Sequence, residues 1–401
     1  MFSKIFGIGE LSPEKFTGLV ARMGVKRGRF INPAVDPAEM RITSDGYTMM
    51  LGNAYKTFLA LPRRERAKFI NESVLRPPPE IPETWEQAAP KLIANVRGMT
   101  QIANAAAQVR SMGAKDHDLI AHREIAPGLY ATIAIDLPTQ SLPVTFRMLK
   151  DWGKSFEEVL ERGIAKLAAS SDLAFIGTDA GFWIGGAISG QDDTYVAARI
   201  LLPRMFHMCK DPYIVVPQRG KIAVGDPAVP GSYNILAALA HNPDDSYRVS
   251  SRIYQFVGGQ LREATAPAGA GLENAELVAD DIHGAYDMER HLYDKYPDES
   301  YFCAKYQRLG RKDTNEVTRL ATWSQALEVP THLPDVDLVS CVLGEPGEED
   351  TEVIMVPFKA LLAKCSFTRT NSPLTRWIAH PNQYPSAEWL RAHEYQAPQV
   401  N

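Results

Sequence analysis

The sequence is poor in cysteine, and this scarcity excludes one class of protein. Its 401 residues include four widely spaced cysteines, none of them in a Cys-x-x-Cys pair: Cys209, Cys303, Cys341 and Cys365. A disulfide framework needs dense, paired cysteines in a short secreted chain. Scattered thiols in a long chain are typical of reduced, mostly buried side chains, so we expect an intracellular, cytoplasmic protein.

Long apolar runs are also lacking. A transmembrane helix needs a run of about 18 or more apolar residues, and the sequence has none. Near the N-terminus the apolar stretch from Ile5 to Ile8 is too short for the core of a signal peptide, which takes about 7–15 residues. The sequence therefore predicts neither a membrane span nor a secretory signal.

The chain also lacks a basic excess. Its net charge of −5 argues against a general nucleic-acid binder. Residues 1–76 are locally basic, with a balance of +6, whereas residues 272–299 carry −7. Such opposite charges favour docking within the chain or association with a partner. The hydrophobic content of 45% is ordinary for a globular protein, so a sizeable core can be buried.

Proline and glycine mark the boundaries of the expected regions. At roughly 100–200 residues per domain, the length predicts two or three domains. The run Pro77-Pro78-Pro79 followed by Pro82 cannot continue a helix and indicates a linker, and residues 264–271 indicate a second one. We therefore predict an α+β protein with a helical N-terminal region (1–76), a central mixed α+β domain with β-hairpins and helices (83–265), and a C-terminal α+β extension (272–401).

Local signals predict individual elements. Ser12-Pro13 and the capping box formed by Ser155 and Glu158 each predict a helix start. Further predicted helices cover residues 85–111, 194–202, 234–240 and part of 272–299. Strands are predicted at 173–177 and 182–188, and hairpins at 213–224, 252–263 and 336–357, with Gly258-Gly259 as the two-residue turn of the second hairpin.

The central segment, from about residue 126 to 264, resembles the YtpQ-like family of bacterial proteins, a domain of unknown function. Trp152-Gly153, the strand Phe182-Trp183-Ile184, the stretch 193–201 and the hairpin residues 215–219 and 222–224 carry the resemblance. Ala198 stands where the family often has Ser. The resemblance implies an α+β domain and carries over no catalytic residues.

A glycine-rich stretch lies between Gly181 and Gly190. It lacks the Gly-Lys-Ser/Thr ending of a phosphate-binding P-loop and does not fit Gly-x-Gly-x-x-Gly. The stretch is a candidate nucleotide or small-anion site. Because Phe182, Trp183 and Ile184 favour a strand, the alternative is that the glycines form turns on either side of a strand.

A metal site is the second candidate. His283, Asp287 and His291 lie four residues apart in a predicted helix, so the three side chains share roughly one face. Imidazole and carboxylate groups suit zinc or iron, so a divalent metal is a possible cofactor. The sequence has no His-Glu-x-x-His motif, and a solvated acidic helix is the alternative.

Asp192, Asp193 and Arg199 lie in the part of the chain that most resembles the family. The two acids could bind a cation, or they could cap a helix and interact with its dipole. Arg199 could bind an anion or form a structural ion pair.

Motifs of serine hydrolases and penicillin-recognising enzymes are incomplete or absent. The sequence thus favours a non-catalytic binding or accessory protein that acts through protein contacts, including self-association. A metal-dependent enzyme and a nucleotide or anion binder are the alternatives.

Overall fold

The structure is a computed structural model. It describes residues 11–44, 47–76, 80–111, 115–137, 140–169, 173–178, 181–187, 195–241, 248–271, 274–310, 317–345, 347–348, 351–370 and 374–396. The chain divides into two units, one formed by residues 1–82 with 137–140 and the other by residues 83–136 with 141–401. Helices and several sheets occur together, so the mixed α+β class is confirmed.

The first unit contains helices and a small sheet. Its elements are α1 Pro13–Lys26, β1 Ala34–Asp36, β2 Arg41–Ser44, β3 Tyr47–Met50, α2 Gly52–Ala60, α3 Arg63–Phe69 and a π-helix at Ile70–Val74. The Ser12 hydroxyl accepts a hydrogen bond from the Lys15 N–H, which confirms the predicted cap. Phe16, Ile42 and Phe58 are fully buried and lie in the core of this unit.

The antiparallel sheet β1–β2–β3 was missed by the prediction of a helical region. Its strands are only three or four residues long, which is too short for a clear alternation of apolar and polar residues. Ile42 in the central strand pairs in register with Val35 and Met49. The burial of Ile42 against the helices therefore stabilises a sheet that the local sequence pattern does not predict.

The second unit contains the remaining elements, except that the last residue of β6 and the first residue of β7 are assigned to the first unit. Its helices are α4 Trp85–Ala88, α5 Met99–Ser111, α6 Phe146–Trp152, α7 Phe156–Ala169, α8 Ser232–Ala240, α9 Asn274–Lys295, α10 Phe358–Lys364 and α11 Ala387–Ala392. Its strands are β4 Leu92–Gly98, β5 His122–Ala126, β6 Leu129–Leu137, β7 Gln140–Pro143, β8 Leu173–Gly177, β9 Phe182–Ala187, β10 Tyr213–Gln218, β11 Lys221–Gly225, β12 Ile253–Val257, β13 Gln260–Glu263, β14 Phe302–Cys303, β15 Gln307–Gly310, β16 Val317–Ser324, β17 Thr331–Pro334, β18 Leu338–Leu343, β19 Glu352–Pro357, β20 Thr368–Arg369 and β21 Arg376–Ala379.

The predicted helix over residues 85–111 was wrong in its middle, because β4 separates α4 from α5. This strand pairs with β6 along its whole length, and α7 packs closely on it at Gly163, next to Ala94. A short apolar run fits a buried strand and a buried helix equally well by periodicity. Residues 92–98 form a strand and not a helix because they pair with β6 in the folded protein.

The hairpins of the central region form as predicted. A six-stranded sheet has the order β13-β12-β10-β11-β9-β8, with antiparallel pairing throughout. Gly258 and Gly259 both have positive φ values and form the turn between β12 and β13, where glycine avoids the strain of a Cβ. The capping box of Ser155 and Glu158 is present at the start of α7. The predicted helix at 194–202 is instead a short 3-10 helix, Ala197–Leu201.

Two four-stranded sheets organise the C-terminal part. One has the order β15-β16-β18-β19 and the other β14-β17-β21-β20. The β18–β19 hairpin is confirmed, with Leu338 opposite Pro357 and Leu343 opposite Glu352. Trp323, Phe358 and Leu361 are buried in the core that these sheets share with α9 and α10. No helix among the described residues is long and apolar enough to cross a bilayer.

Candidate ligand-binding cleft

A cleft of about 920 Å³ opens in the second unit. Side chains from α5, the residues before β5, α6, α9, the strands β14, β17 and β21, and the segment before β14 surround it. The lining residues are Ala107, Arg110, Lys115, Asp116, His117, Leu119, His122, Phe146, Glu289, Leu292, Tyr293, Tyr296, Asp298, Tyr301, Cys303, His332, Thr370 and Arg376. The lining thus combines aromatic rings with charged groups of both signs.

Strand pairing brings the inner residues of the cleft together. β17 pairs with β14 in parallel, which places His332 in register with Cys303. β17 also pairs with β21 in the antiparallel sense, with Pro334 opposite Arg376. Three segments separated by about 30 and 40 positions in the chain therefore meet along one sheet, and α9 adds Glu289 from the side.

Arg376 is the most deeply buried charge of the cleft. Its side chain is 3% exposed, and its Nε donates to Glu289 Oε2 at 2.6 Å. Nη1 donates to the carbonyl oxygens of Ala304 and His332 at 3.0 Å and 2.7 Å, and the guanidinium carbon lies 5.0 Å from the Tyr286 ring centroid. Nη2 is buried and has no hydrogen-bond partner among the described residues. A buried donor without a partner costs free energy.

His332 lies against an aromatic ring and close to positive charge. Its imidazole stacks on the Tyr301 ring, with centroids 4.1 Å apart and an angle of 17° between the planes. Burial and the nearby positive charge of Arg376 lower the pKa of His332 to about 4, with further lowering by Arg110 and His380 and an opposing effect of Asp298. At neutral pH this imidazole is therefore uncharged and offers one donor and one acceptor nitrogen.

The thiol and phenol groups of the cleft are held in their protonated forms. Burial raises the pKa of the Cys303 thiol to about 11 and that of Tyr301 to about 12. Burial also raises the pKa of Tyr293. A thiolate rather than a thiol acts as a nucleophile, so Cys303 is not activated in this state. These groups provide hydrogen-bond donors and apolar surface.

Charged residues form the outer part of the cleft. Arg110, near the end of α5, contacts Asp116 at 3.2 Å, and both side chains are substantially exposed. Asp298 accepts hydrogen bonds from the backbone N–H and the hydroxyl of Ser300, which hold its carboxylate in place. Lys115 also lines this part. These charged residues are exposed, whereas Tyr301 and His332 are half-buried.

The proposed metal ligands lie on α9. His283 Nε2 is 3.2 Å from Asp287 Oδ2, so two of the three side chains interact as an i, i+4 pair. The His283 ring also lies 5.8 Å from the Tyr306 ring, and His291 is exposed. Within the described ranges, no three His, Cys, Asp or Glu side chains are placed to hold a metal ion. Metal binding here stays a prediction.

Of the three candidate residues in the segment that resembles the YtpQ-like family, the structure describes only Arg199. Asp192 and Asp193 lie outside the described residues. Arg199 belongs to the short 3-10 helix and is buried, and its Nη1 donates to the Tyr195 carbonyl oxygen at 2.8 Å. The acceptor is a backbone carbonyl and not an acid, so this contact decides neither for the ion pair nor for anion binding.

The glycine-rich stretch is a strand where it is described. Phe182–Ala187 forms β9, which pairs with β8 and β11, and residues 188–190 lie outside the described residues. Backbone N–H groups that pair within a sheet are not available to cradle a phosphate. Gly181 has a positive φ of 70°, and it lies in the turn before the strand. The described part thus matches the alternative of turns flanking a strand.

Neither a protein-family model, nor a curated protein, nor a solved structure matches this chain. The resemblance to the YtpQ-like family therefore stays a prediction. Sequence reasoning missed His332, Arg376 and Tyr301 as site residues. None of them belongs to a motif, and the only local sign is that His332 lies between Pro330 and Pro334 in an apolar segment.

Proposed function

We propose that this protein is a binding protein whose ligand is a small molecule held in the cleft. One observation carries the proposal: a single cavity collects the buried Arg376, the stacked Tyr301–His332 pair and further aromatic side chains. Small-molecule sites combine apolar and aromatic walls with a few polar groups that set the orientation of the ligand. The volume of about 920 Å³ falls in the usual range of small-molecule sites, roughly 300–1,000 Å³.

The protonation states favour binding over covalent catalysis. Cys303 and Tyr301 keep their protons at neutral pH, because their pKa values are raised to about 11 and about 12. His332 stays neutral, and with a pKa of about 4 it is a weak base. Efficient general bases have pKa values near the working pH. These groups are better suited to hydrogen-bond a ligand than to activate a nucleophile.

A blocked cleft provides the test. Ala107 lines the cavity from α5, so Ala107→Trp fills part of it. Gln108→Trp places the same ring at the next, exposed position of the helix and serves as the control. A thermal-shift screen with carboxylates, phosphates, amines and nucleosides at millimolar concentration should raise the Tm of the wild type and of Gln108→Trp, since ligand binding stabilises the folded state.

Ala107→Trp should lose this response. A ligand that stabilises the Ala107→Trp variant as strongly as the wild type would show that it binds outside the cleft. A complete lack of response in the wild type would count against small-molecule binding.

A second candidate function is self-association through β8. This strand is the edge of the six-stranded sheet, and it has no charged residue. Ile176 is 72% exposed and lies opposite Ile184, which is 41% exposed. An uncharged, apolar edge strand is a template for pairing with another chain, and an antiparallel pair of β8 strands would satisfy a two-fold axis.

Light scattering coupled to size exclusion tests this second candidate. The wild type should have twice the chain mass of 44.4 kDa, and Ile176→Lys should shift it to the monomer mass. Leu309→Lys changes an exposed leucine of β15, in a different sheet, and should leave the mass unchanged. A monomeric wild type at micromolar concentration would remove self-association from consideration.

A further inference from the structure

The charged residues that line the cleft balance one another in number. Three acids and three bases line it: Asp116, Glu289, Asp298, Arg110, Lys115 and Arg376. Glu289 pairs with Arg376 at 2.6 Å and Asp116 pairs with Arg110 at 3.2 Å, so both arginines already have a carboxylate. Lys115 is exposed to solvent, where a single charge contributes little to binding. An ionic ligand would lose its hydration and gain little in return, so the described lining favours a ligand without net charge.

Aromatic surface is exposed in the cleft. Phe146, the first residue of α6, is 36% exposed, and Tyr296, which follows α9, is 40% exposed. Tyr301 and His332 stack with ring centroids 4.1 Å apart and also line the cleft. Small-molecule sites use such rings as apolar walls, and an aromatic ligand gains further stabilisation from ring contacts. The rings therefore favour a ligand with an aromatic body.

Two histidines of the cleft lie against the start of α6. A backbone bridge aligns the residues just before β5 with the residues just before α6. The His122 ring lies 5.7 Å from the Phe146 ring, and His117 Nε2 lies 2.6 Å from Nη2 of Arg147, the next residue of the helix. Both imidazoles therefore lie near the first turn of α6, where the exposed Phe146 ring lines the cleft.

The hydrogen bonds of these histidines determine what their other ring nitrogens can do. His122 Nδ1 lies 2.7 Å from the Ile120 carbonyl oxygen, and since a carbonyl can only accept, Nδ1 carries the proton and Nε2 of the neutral ring is an acceptor. Arg147 can only donate, so His117 Nε2 accepts and its Nδ1–H is a donor. Neither His122 Nε2 nor His117 Nδ1 has a partner among the described residues. The cleft thus offers one acceptor and one donor near an exposed ring.

We propose that the cleft binds an uncharged aromatic compound with an amide-like group, whose N–H donates to His122 and whose carbonyl oxygen accepts from His117. Aromatic amides and heterocycles with a ring amide belong to this class. This inference rests on the proposed function, since it assumes that the cleft is a ligand site. The ring of the ligand covers Phe146 and Tyr296, which are exposed in the cleft.

Three probes with the same ring test the charge preference: benzamide, benzoate and benzamidine. NMR titration of the full chain gives the affinity of each. Benzamide should bind most tightly, and the two ions should bind at least roughly tenfold more weakly, because the cleft does not replace their lost hydration. Binding of either ion as tight as that of benzamide would overturn the uncharged class.

Two further probes test the ring and the polar group. Cyclohexanecarboxamide carries the amide on a saturated ring, and acetophenone carries the carbonyl on the aromatic ring without an N–H. Each should bind roughly three- to tenfold more weakly than benzamide, because a ring contact or a hydrogen bond is lost. Equal affinity of cyclohexanecarboxamide would overturn the aromatic part of the assignment, and equal affinity of acetophenone would overturn the amide-like part.

Two histidine variants locate the polar group. His122→Phe keeps a ring beside Phe146 but removes the Nε2 acceptor, so it should weaken benzamide binding by roughly three- to tenfold and leave acetophenone binding unchanged. Unchanged acetophenone binding also shows that the cleft of the variant is folded. His393→Phe is the matched control, since His393 Nδ1 also contacts a backbone carbonyl, at 2.9 Å, its ring also lies against an aromatic ring, and it does not line the cleft. Benzamide affinity that is unchanged in His122→Phe, or that is lost together with that of acetophenone, would overturn the role of His122.

The outcomes separate this inference from the proposed function. If benzoate or benzamidine binds as tightly as benzamide and Ala107→Trp abolishes that binding, the cleft is a ligand site and the uncharged class is wrong. If the wild type binds none of the five probes, the inference also fails. The broader thermal-shift screen then decides separately whether the cleft binds other small molecules.

Discussion

Glu289 in α9 and Arg376 in β21 form a 2.6 Å ion pair across 87 positions of the chain. The same guanidinium donates to carbonyl oxygens of two further segments, at Ala304 and His332. One side chain thus connects a helix with three strand segments that form the wall of the cleft. The cleft wall and the sheet β14-β17-β21-β20 therefore share this buried charge.

Glu289→Gln should destabilise the protein. The change leaves the Arg376 charge buried without its carboxylate, and losing one partner of a buried pair is costly. Because Glu289 is partly exposed and Gln keeps one acceptor, we expect a loss of about 2–3 kcal/mol in the free energy of unfolding. Urea unfolding measures it. Glu299→Gln, at an exposed position, should stay within about 0.5 kcal/mol of the wild type. Equal stabilities of both variants would refute the role of the pair.

His332 should make stability depend on pH. Its folded-state pKa is lowered to about 4, whereas an unfolded histidine titrates near 6.5, so the unfolded state binds more protons between these values. The free energy of unfolding should therefore decrease as the pH falls from about 6.5 to about 4. Carboxylates also titrate at the lower end, so the difference between wild type and His332→Gln isolates this contribution. Parallel pH profiles of the two proteins would contradict the lowered pKa.

Replacing either of two helical glycines by alanine should change the free energy of unfolding, but in opposite directions. A Cβ on Gly163 in α7 would lie 2.7 Å from the backbone N of Ala94 in β4, whereas a Cβ on Gly284 in α9 would meet no atom within 4 Å. Gly163→Ala should cost about 1–3 kcal/mol through overpacking. Gly284→Ala should stabilise by about 0.5–1 kcal/mol, since alanine favours the helix. Thermal or urea unfolding gives both signs, and a stabilising Gly163→Ala would show that α7 and β4 are less closely packed.

The α9 histidines give a direct test of metal binding. His283 pairs with Asp287 and His291 is exposed, so we expect His291→Ala to change the free energy of unfolding by less than about 0.5 kcal/mol. If the predicted metal site forms, added zinc should raise the Tm of the wild type more than that of His291→Ala, and the purified wild type should hold stoichiometric metal that the variant loses. Equal shifts of both proteins, or none, would argue against His291 as a ligand.

Local signals in the sequence determined much of the secondary structure. Ser12, the Ser155–Glu158 box and the Gly258-Gly259 turn were predicted because caps and tight turns depend on residues only a few positions apart. The hairpins β10–β11 and β18–β19 followed from short apolar runs separated by turn-forming residues.

Only the tertiary structure decided two of the strands, the cleft and the pKa of His332. Whether residues 92–98 form a strand depends on their pairing with β6, and Ile42 forms a strand because it is buried against helices. The cleft joins Arg110, Glu289, His332 and Arg376, which no spacing connects in the sequence. Parallel pairing of β14 with β17 and antiparallel pairing of β17 with β21 bring the inner residues together. The low pKa of His332 likewise results from burial and from charges on distant segments, so its chemistry belongs to the fold rather than to any local motif.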